Sequence, residues 1–189
     1  MQRRSMARRA RDDLRTEVLD IAERLVVAGG RLSMPELARR TGVSRQTLYS
    51  EFGDRDGLAA ALVLRVTDRF LDGMEAALAG ERDPAAAFAA AAGAALTEAA
   101  TNRLVEAMLA GDAAVPSVFG SGAEPIVAAA AERGAGYLRR SRPDLDDADI
   151  DLAAGTAARL TVSHLVLPRG PVENAAREIG TVVARILRV

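Results

Sequence analysis

The sequence predicts an all-α protein of about nine helices. Apolar residues recur three and four positions apart along most of the 189 residues, which is the period of an amphipathic helix. No stretch alternates apolar and polar residues over a useful strand length. Capping residues, glycines and prolines divide the chain into segments of helical length. The expected architecture is therefore a set of helices that bury their apolar stripes against one another.

The first helix is predicted over residues 12–28. Its apolar stripe has members about one helical turn apart, namely Leu14, Val18, Ile21 and Leu25. Residues 33–58 follow, and they have the spacing of two short helices joined by a tight turn. We expect the first helix to pack behind these two and to complete a three-helix unit.

Two caps and one glycine define the pair of short helices. Ser33 and Glu36 form a predicted capping box at the start of the second helix. Gly42 stands at the turn, where a left-handed backbone suits glycine, and Ser44 is predicted to cap the third helix. This pattern is typical of a helix-turn-helix that reads DNA. The alternative is an ordinary helical hairpin that binds no nucleic acid.

Breakers and caps place the remaining helices. A Gly-, Ser- and Pro-rich stretch at 111–122 is predicted to be a loop. A fourth helix is predicted from Asp54 to about residue 78, a fifth from Asp83 and Pro84, and a sixth over 103–109. A seventh is predicted from 124 to about 140, an eighth after the acidic residues of 144–151, and a ninth from Pro171 to the C-terminus.

Charge is unevenly distributed along the chain, although the net charge is only −1. Residues 1–60 hold twelve arginines and nine acids, whereas residues 61–189 hold thirteen arginines and seventeen acids. A positive end suits a protein that presents that end to phosphate. The basic arm at 1–10 either follows a DNA backbone or minor groove, or is a disordered solubilising tail.

Composition limits the other function classes. Cysteine is absent, so a disulfide framework and a thiolate metal site are excluded. No signal peptide is recognisable, and the longest apolar run, at 85–96, is too short to cross a bilayer. We expect a cytoplasmic protein with no membrane partner.

No catalytic motif, metal-ligand spacing or cofactor fingerprint occurs in the sequence, so an enzyme is not expected and neither is a cofactor. His164 is the only histidine, and no second histidine, cysteine or paired carboxylate lies near it in sequence. A core or interface role for His164 is therefore favoured over catalysis or metal binding.

The outward face of the third helix has the chemistry to read DNA. Arg45 can bind guanine O6 and N7, Gln46 can bind adenine N6 and N7, and Thr47 can contact a thymine methyl. Tyr49 can donate a hydrogen bond to phosphate. The predicted DNA contacts are Ser33, Ser44, Arg45, Gln46, Thr47, Tyr49 and Arg55. The alternative is that this face is simply solvated.

These residues resemble the DNA-binding domain of TetR-family repressors. The resemblance is carried by Gly42-Val43-Ser44, Thr47-Leu48-Tyr49, Phe52, Asp54-Arg55-Asp56 and Leu58, with Ile21-Ala22, Leu25 and residues 29–32 upstream. It implies a helix-turn-helix domain at 11–71 and a ligand-sensing and dimerisation domain at 72–189. It also implies a homodimer that binds an inverted-repeat operator in double-stranded DNA and is released by a small hydrophobic effector.

Two positions depart from the family's pattern. Arg55 stands where lysine is usual, which keeps the positive charge. Glu51 stands where histidine or tyrosine is common, and the DNA backbone repels an acid there. Glu51 either accepts a hydrogen bond from cytosine N4 or pairs with a nearby arginine, and we favour the pairing.

The last two predicted helices are too apolar for a free surface. We expect both copies of this pair to form a two-fold four-helix dimer interface. The expected interface residues are Leu160, His164, Ile179, Val183 and Ile186. The alternative is that these faces meet only their own domain's core.

The middle helices combine a few large apolar side chains with many alanines and glycines, which can leave a cavity. The resemblance implies that an apolar effector binds there. The expected pocket residues are Phe70, Met74, Phe88, Leu104, Met108, Phe119 and Tyr137. The alternative is that they are ordinary core.

The leading interpretation is a ligand-responsive DNA-binding regulator, with repression implied by the resemblance. The second is a helical small-molecule-binding module without sequence-specific DNA binding, which the acid at position 51 keeps open. An enzyme on an all-α scaffold is remote.

Overall fold

A computed structural model of the chain describes residues 2–110 and 123–189, with side chains over 11–106 and 124–189. Within this part of the chain every regular element is an α-helix, as predicted. The helices are α1 (Gln2–Val27), α2 (Met34–Thr41), α3 (Arg45–Phe52), α4 (Arg55–Ala79), α5 (Pro84–Thr101), α6 (Arg103–Ala110), α7 (Ala123–Ser141), α8 (Asp147–Val166) and α9 (Val172–Leu187). The predicted loop at 111–122 lies outside the described residues.

Local capping sets several helix starts. The Ser44 hydroxyl accepts a hydrogen bond from the Thr47 backbone N–H at 3.1 Å and begins α3. The carboxylates of Asp54 and Asp83 accept from the N–H three residues later, each at 2.8 Å, and begin α4 and α5. Gly42 ends α2 with a φ of 70°, a left-handed conformation that favours glycine. These caps are confirmed.

The first helix begins much earlier than predicted. It starts at Gln2 rather than near residue 12, so the basic segment is continuous with α1 and is not a separate arm. Neither proline nor glycine occurs between residues 2 and 12, and alanine and arginine are strong helix formers. The helix therefore extends through the segment that the charge pattern set apart.

The predicted capping box of Ser33 and Glu36 does not form. Ser33 precedes α2 but makes no side-chain capping hydrogen bond. The Glu36 carboxylate accepts instead from Arg39 and Arg40, each with a contact of 2.7 Å. Hydrogen bonds from Arg39 and then Arg40 lower the pKa of Glu36 to about 2. These arginines draw the carboxylate away from the helix start.

The first core surrounds the helix-turn-helix and extends beyond it. Its buried residues come from α1 to α4, and Leu48 and Phe52 are the contribution of α3. Leu104 and Val105 of α6 and the C-terminal Ala99 region of α5 also belong to it. The domain boundary predicted at residue 71 therefore falls inside α4, and α6 packs on the N-terminal unit.

The second core lies among the C-terminal half of α4, the N-terminal half of α5, and helices α7, α8 and α9. Its largest fully buried side chains are Leu138, Ile150, Ile179 and Val183. Helices α5 and α9 cross closely because Gly180 lies against the Ala85 carbonyl. A Cβ at Gly180 would stand 2.6 Å from that oxygen, so a larger residue does not fit without a backbone shift.

Charged side chains tie α1 to the middle of α4. Arg65 pairs with Asp20 and donates to the Thr16 carbonyl at 3.1 Å. Arg69 donates to Glu23 at 2.6 Å. These contacts join the helix behind α2 and α3 to the long helix that enters the C-terminal core.

None of the helices over the described residues combines the length and the apolarity that crossing a bilayer requires.

Candidate nucleic-acid interface

Helix α3 has one buried face and one solvent face. Leu48 is 1% exposed and Phe52 is 7% exposed, and both enter the first core. The other side chains of α3 are exposed except Glu51, and Tyr49 is half exposed. The exposed N-terminal half of α3 is the part that a helix-turn-helix inserts into the major groove.

Three side chains on the solvent face keep their hydrogen-bonding groups for a partner. Arg45, Gln46 and Tyr49 make no hydrogen bond or ion pair with any residue that the structure describes. Arginine and glutamine are the side chains best suited to bidentate contacts with guanine and adenine. The structure thus places these three predicted residues together on one exposed face, and their contacts with bases and phosphate stay predictions.

Ser44 and Thr47 have less capacity for DNA than predicted. The Ser44 and Thr47 hydroxyls lie 2.8 Å apart, and the Ser44 oxygen also caps α3. Both hydroxyls are therefore engaged within the helix start. The Thr47 methyl stays available for a thymine methyl.

The two other predicted DNA contacts, Ser33 and Arg55, lie on either side of α3 in the sequence. Ser33 lies at the N-terminus of α2, and its hydroxyl makes no hydrogen bond within the described residues. Arg55 occupies the first turn of α4, is partly exposed, and lies 3.8 Å from the Asp56 carboxylate. Their contacts with phosphate stay predictions.

Glu51 does not face the solvent. Its side chain is 10% exposed, and its carboxylate pairs with Arg11 and with Arg15 of α1, the latter at 3.1 Å. The favoured pairing of Glu51 with a nearby arginine is therefore confirmed. Sequence reasoning missed Arg11 and Arg15, because 40 and 36 positions separate them from Glu51.

Two family models match this chain, one ending within α4 and the other beginning after α4. The model described as "Bacterial regulatory proteins, tetR family" matches residues 18–62, which include α2 and α3. The model described as "Bacterial Tetracyclin repressor, C-terminal domain" matches residues 83–185, more than half of the chain. The chain belongs to the TetR family of transcriptional regulators. The resemblance inferred from residues 42–58 is thereby confirmed.

Individual relatives agree with this assignment. The chain is 29% identical over 179 residues to the HTH-type transcriptional regulator AlkX of Mycobacterium tuberculosis, covering 92% of this chain and 83% of that protein. The crystal structure of the TetR family repressor AlkX from Dietzia sp. superposes with a TM-score of 0.70 at 26% identity, covering 90% of this chain and 96% of that one. The repressor QsdR of R. erythropolis shares the fold, with a TM-score of 0.58 at 22% identity, covering 94% and 96%.

The structure shows a cleft whose lining residues come from both sides of the domain boundary predicted at residue 71. The cleft lies between α4 and α5, with Glu23 of α1 at its edge, and its volume is about 330 Å³. It is lined by Glu23, Arg69, Phe70, Gly73, Met74, Ala94, Ala95, Glu98 and Asn102. Volumes of this order are typical of ligand sites. Of the predicted pocket residues, Phe70 and Met74 line it.

The other predicted pocket residues lie elsewhere. Phe88 and Tyr137 are buried in the second core, where their rings pack edge to face with centroids 6.4 Å apart. Leu104 is fully buried in the first core. None of these three residues lines this cleft, so their assignment to a ligand pocket stays a prediction beside the alternative of ordinary core. The side chain of Met108 and all of Phe119 lie outside the described residues.

Some of the predicted dimer residues are buried in the protein's own core, and others keep an exposed surface. Ile179 and Val183 are fully buried in the second core, so they face α5 and α8 and are not available to a partner. Leu160 and Ile186 are only partly buried and keep an outward surface. His164 is largely buried, with its Nε2 atom 3.5 Å from the Glu178 carboxylate of α9.

Proposed function

We propose that this TetR-family regulator is a ligand-responsive repressor that binds an inverted-repeat operator as a homodimer. The observation that carries the proposal is the N-terminal face of α3, where Arg45, Gln46 and Tyr49 are exposed and have no partner in the described structure. Two such helices in a two-fold dimer meet half-sites about one helical turn, or a small multiple, apart.

Base reading by Arg45 can be tested directly. Arg45→Ala should weaken binding to the operator by about 1–3 kcal/mol and relax the preference at one position of each half-site, because a bidentate contact to guanine is lost. The operator is obtained by selection from random duplexes with the wild-type protein. Binding is then measured by fluorescence anisotropy on the selected duplex and on its single-base variants.

Arg82→Ala is the matched control. Arg82 is an exposed arginine three residues beyond α4, and the 25 residues of α4 extend about 37 Å from the reading end. Its removal should leave base preference unchanged. If Arg45→Ala kept full base selectivity, α3 would not be the helix that reads the bases.

The alternative function is a small-molecule-binding module that does not select DNA sequences. The acid at position 51 was its main support, and the pairing of Glu51 with Arg11 and Arg15 removes most of the repulsion that it would cause. Selection that enriches no sequence above background at low salt would favour this alternative.

We place the dimer contact on the outer face of α8 and α9. This outer face is defined by Leu152, Leu160 and Leu167 of the α8 side and by Val182 and Ile186 of α9. Leu152 and Leu167 are among the most exposed large apolar side chains of the described structure. A second copy that covers these residues would form the four-helix, two-fold interface that the operator symmetry requires.

We assign the effector site to the cleft between α4 and α5. Its floor is apolar at Phe70 and Met74, and its edge carries the pair of Glu23 and Arg69, whose atoms lie 2.6 Å apart. The Dietzia relative is implicated in biodegradation of n-alkanes, which supports an apolar effector. A ligand that binds beside the Glu23–Arg69 pair would alter this contact between α1 and α4. The altered contact would favour a dimer in which the distance between the two α3 helices is different.

Filling the cleft should abolish the response to ligand. A Cβ at Gly73 would meet no atom within 4 Å, so Gly73→Leu extends into the cleft without a backbone clash. We expect this variant to bind 1-anilinonaphthalene-8-sulfonate at least tenfold more weakly by fluorescence titration, while its operator affinity is unchanged. Its stability should not fall, because leucine is a better helix former than glycine.

Ala76→Leu is the control for the added side chain. Ala76 is exposed on the same helix and does not line the cleft. It should bind the dye as the wild type does. Equal dye binding by Gly73→Leu and wild type would place the site outside this cleft.

A further inference from the structure

Helix α3 is short, and its buried contacts leave one side open. Its eight residues bury only Leu48 and Phe52, which pack it against the first core on the side of α2 and α4. Leu48 and Phe52 lie one turn apart and hold α3 against the core. Because they lie on one side of the helix, their contacts form a single line along it. The rotation of α3 about its own axis needs a further contact away from that line.

Glu51 supplies that contact. It is the remaining side chain of α3 that is largely covered, at 10% exposure, and it reaches α1 through Arg11 and through Arg15 at 3.1 Å. The Arg15 guanidinium also lies over the Phe52 ring, 5.1 Å from the centroid. Arg15 thus contacts two consecutive residues of α3 at once and joins the bridge to the core.

We propose that Glu51 is a positioning residue that sets the rotation of the reading helix and thereby its sequence selectivity. This inference rests on the proposed reading of DNA by α3. A rotation error moves Arg45 and Gln46 relative to the base edges, whereas phosphate contacts tolerate such a shift more easily. Base discrimination is therefore the property that depends most on the bridge.

A second consequence concerns Arg11 and Arg15. With Glu51 in place, their guanidinium groups are directed to a carboxylate of their own chain. Without it, two cations at the DNA-facing end are released, and these can bind any phosphate. Loss of Glu51 should raise affinity for unrelated DNA while it lowers discrimination.

The test compares substitutions at two positions, each of which removes one negative charge at the same end of the molecule. Glu51→Gln and Glu51→Ala alter the bridge. Asp56→Asn is the control, because Asp56 is exposed in the first turn of α4 and, within the described residues, pairs with Arg55 of its own helix and not with α1. Affinity is measured by anisotropy for the selected operator and for a scrambled duplex of equal length, at several salt concentrations.

We expect Glu51→Gln to lower the ratio of specific to nonspecific affinity about three- to fivefold, because the Arg11 and Arg15 side chains around the carboxylate are 64% and 39% exposed and the pairs are partly screened by water. Glu51→Ala should lower the ratio at least as much. Asp56→Asn should strengthen binding to both duplexes alike and leave the ratio unchanged. Arg15→Ala should lower the ratio less in the Glu51→Ala background than in the wild type.

Two results would contradict this inference. If both Glu51 variants keep the wild-type ratio and only tighten binding to both duplexes, as Asp56→Asn does, Glu51 acts through charge alone and the inference is overturned. If the wild-type protein itself does not distinguish the duplexes, the proposed function fails and the inference fails with it. Circular dichroism confirms that each variant is folded, and Glu51→Gln decides the result if Glu51→Ala is not.

Discussion

Gly57→Ala is expected to lower the free energy of unfolding by about 3 kcal/mol, at the upper end for an overpacked site. Gly57 lies in the first turn of α4, and a Cβ there would overlap the backbone carbonyl oxygen of Phe52, the last residue of α3. Backbone cannot move aside as a flexible side chain can. Relief requires α3 and α4 to separate, so operator affinity should fall together with stability.

Urea unfolding followed by circular dichroism measures the change in stability, and anisotropy measures operator binding. Gly73→Ala is the matched control on the same helix, because a Cβ at Gly73 meets nothing within 4 Å. That variant should gain up to about 1 kcal/mol, since alanine is the better helix former. A Gly57→Ala protein as stable as Gly73→Ala would show that the α3–α4 junction is looser than described.

Introducing charge on the outer face is expected to dissociate the dimer. Leu152→Glu combined with Leu167→Glu should yield a monomer by sedimentation velocity at micromolar concentration, because each change would bury an unpaired carboxylate at the interface. Operator affinity should fall about 100-fold or more, since the second half-site no longer benefits from a tethered reading helix. The fold should persist, because both leucines are exposed in the protomer.

Leu64→Glu is the control for this change. Leu64 is 63% exposed on α4 and Leu167 is 64% exposed, so the two positions differ in place and not in accessibility. The Leu64 variant should sediment as the wild type does. If the double variant still sediments as a dimer, or if the wild-type protein is monomeric, the proposed interface on α8 and α9 is wrong.

Much of the site could be predicted because its signals are local. A cap such as Ser44 or Asp54 acts on an N–H only three residues away, and the structure confirms both. Gly42 adopts the left-handed conformation that its place in the turn demanded. The exposure of Arg45 and Gln46 followed from the helical period, with Leu48 on the opposite face.

Other features of the structure were not predicted from the sequence. The capping box at Ser33 failed through a competing local contact, since Arg39 and Arg40 bind the Glu36 carboxylate. Leu104 is a predicted pocket residue because it is a large apolar side chain among the many small residues of the middle helices, yet it packs on the N-terminal core. An apolar residue has the same sequence signature whether it faces its own core, a ligand or a second copy.

The sequence by itself determined the helical class, most helix boundaries, the residues on the reading face and the family. These depend on periodicity, capping and residue type, which are set within a few positions along the chain. Only the tertiary structure decided which apolar faces are internal, that Glu51 is bridged to α1, and that Gly57 and Gly180 stand where backbones meet. The contacts of Glu51 and Gly180 join residues distant in sequence, whereas Gly57 meets Phe52 only five positions away. The geometry of all three follows from how whole helices pack.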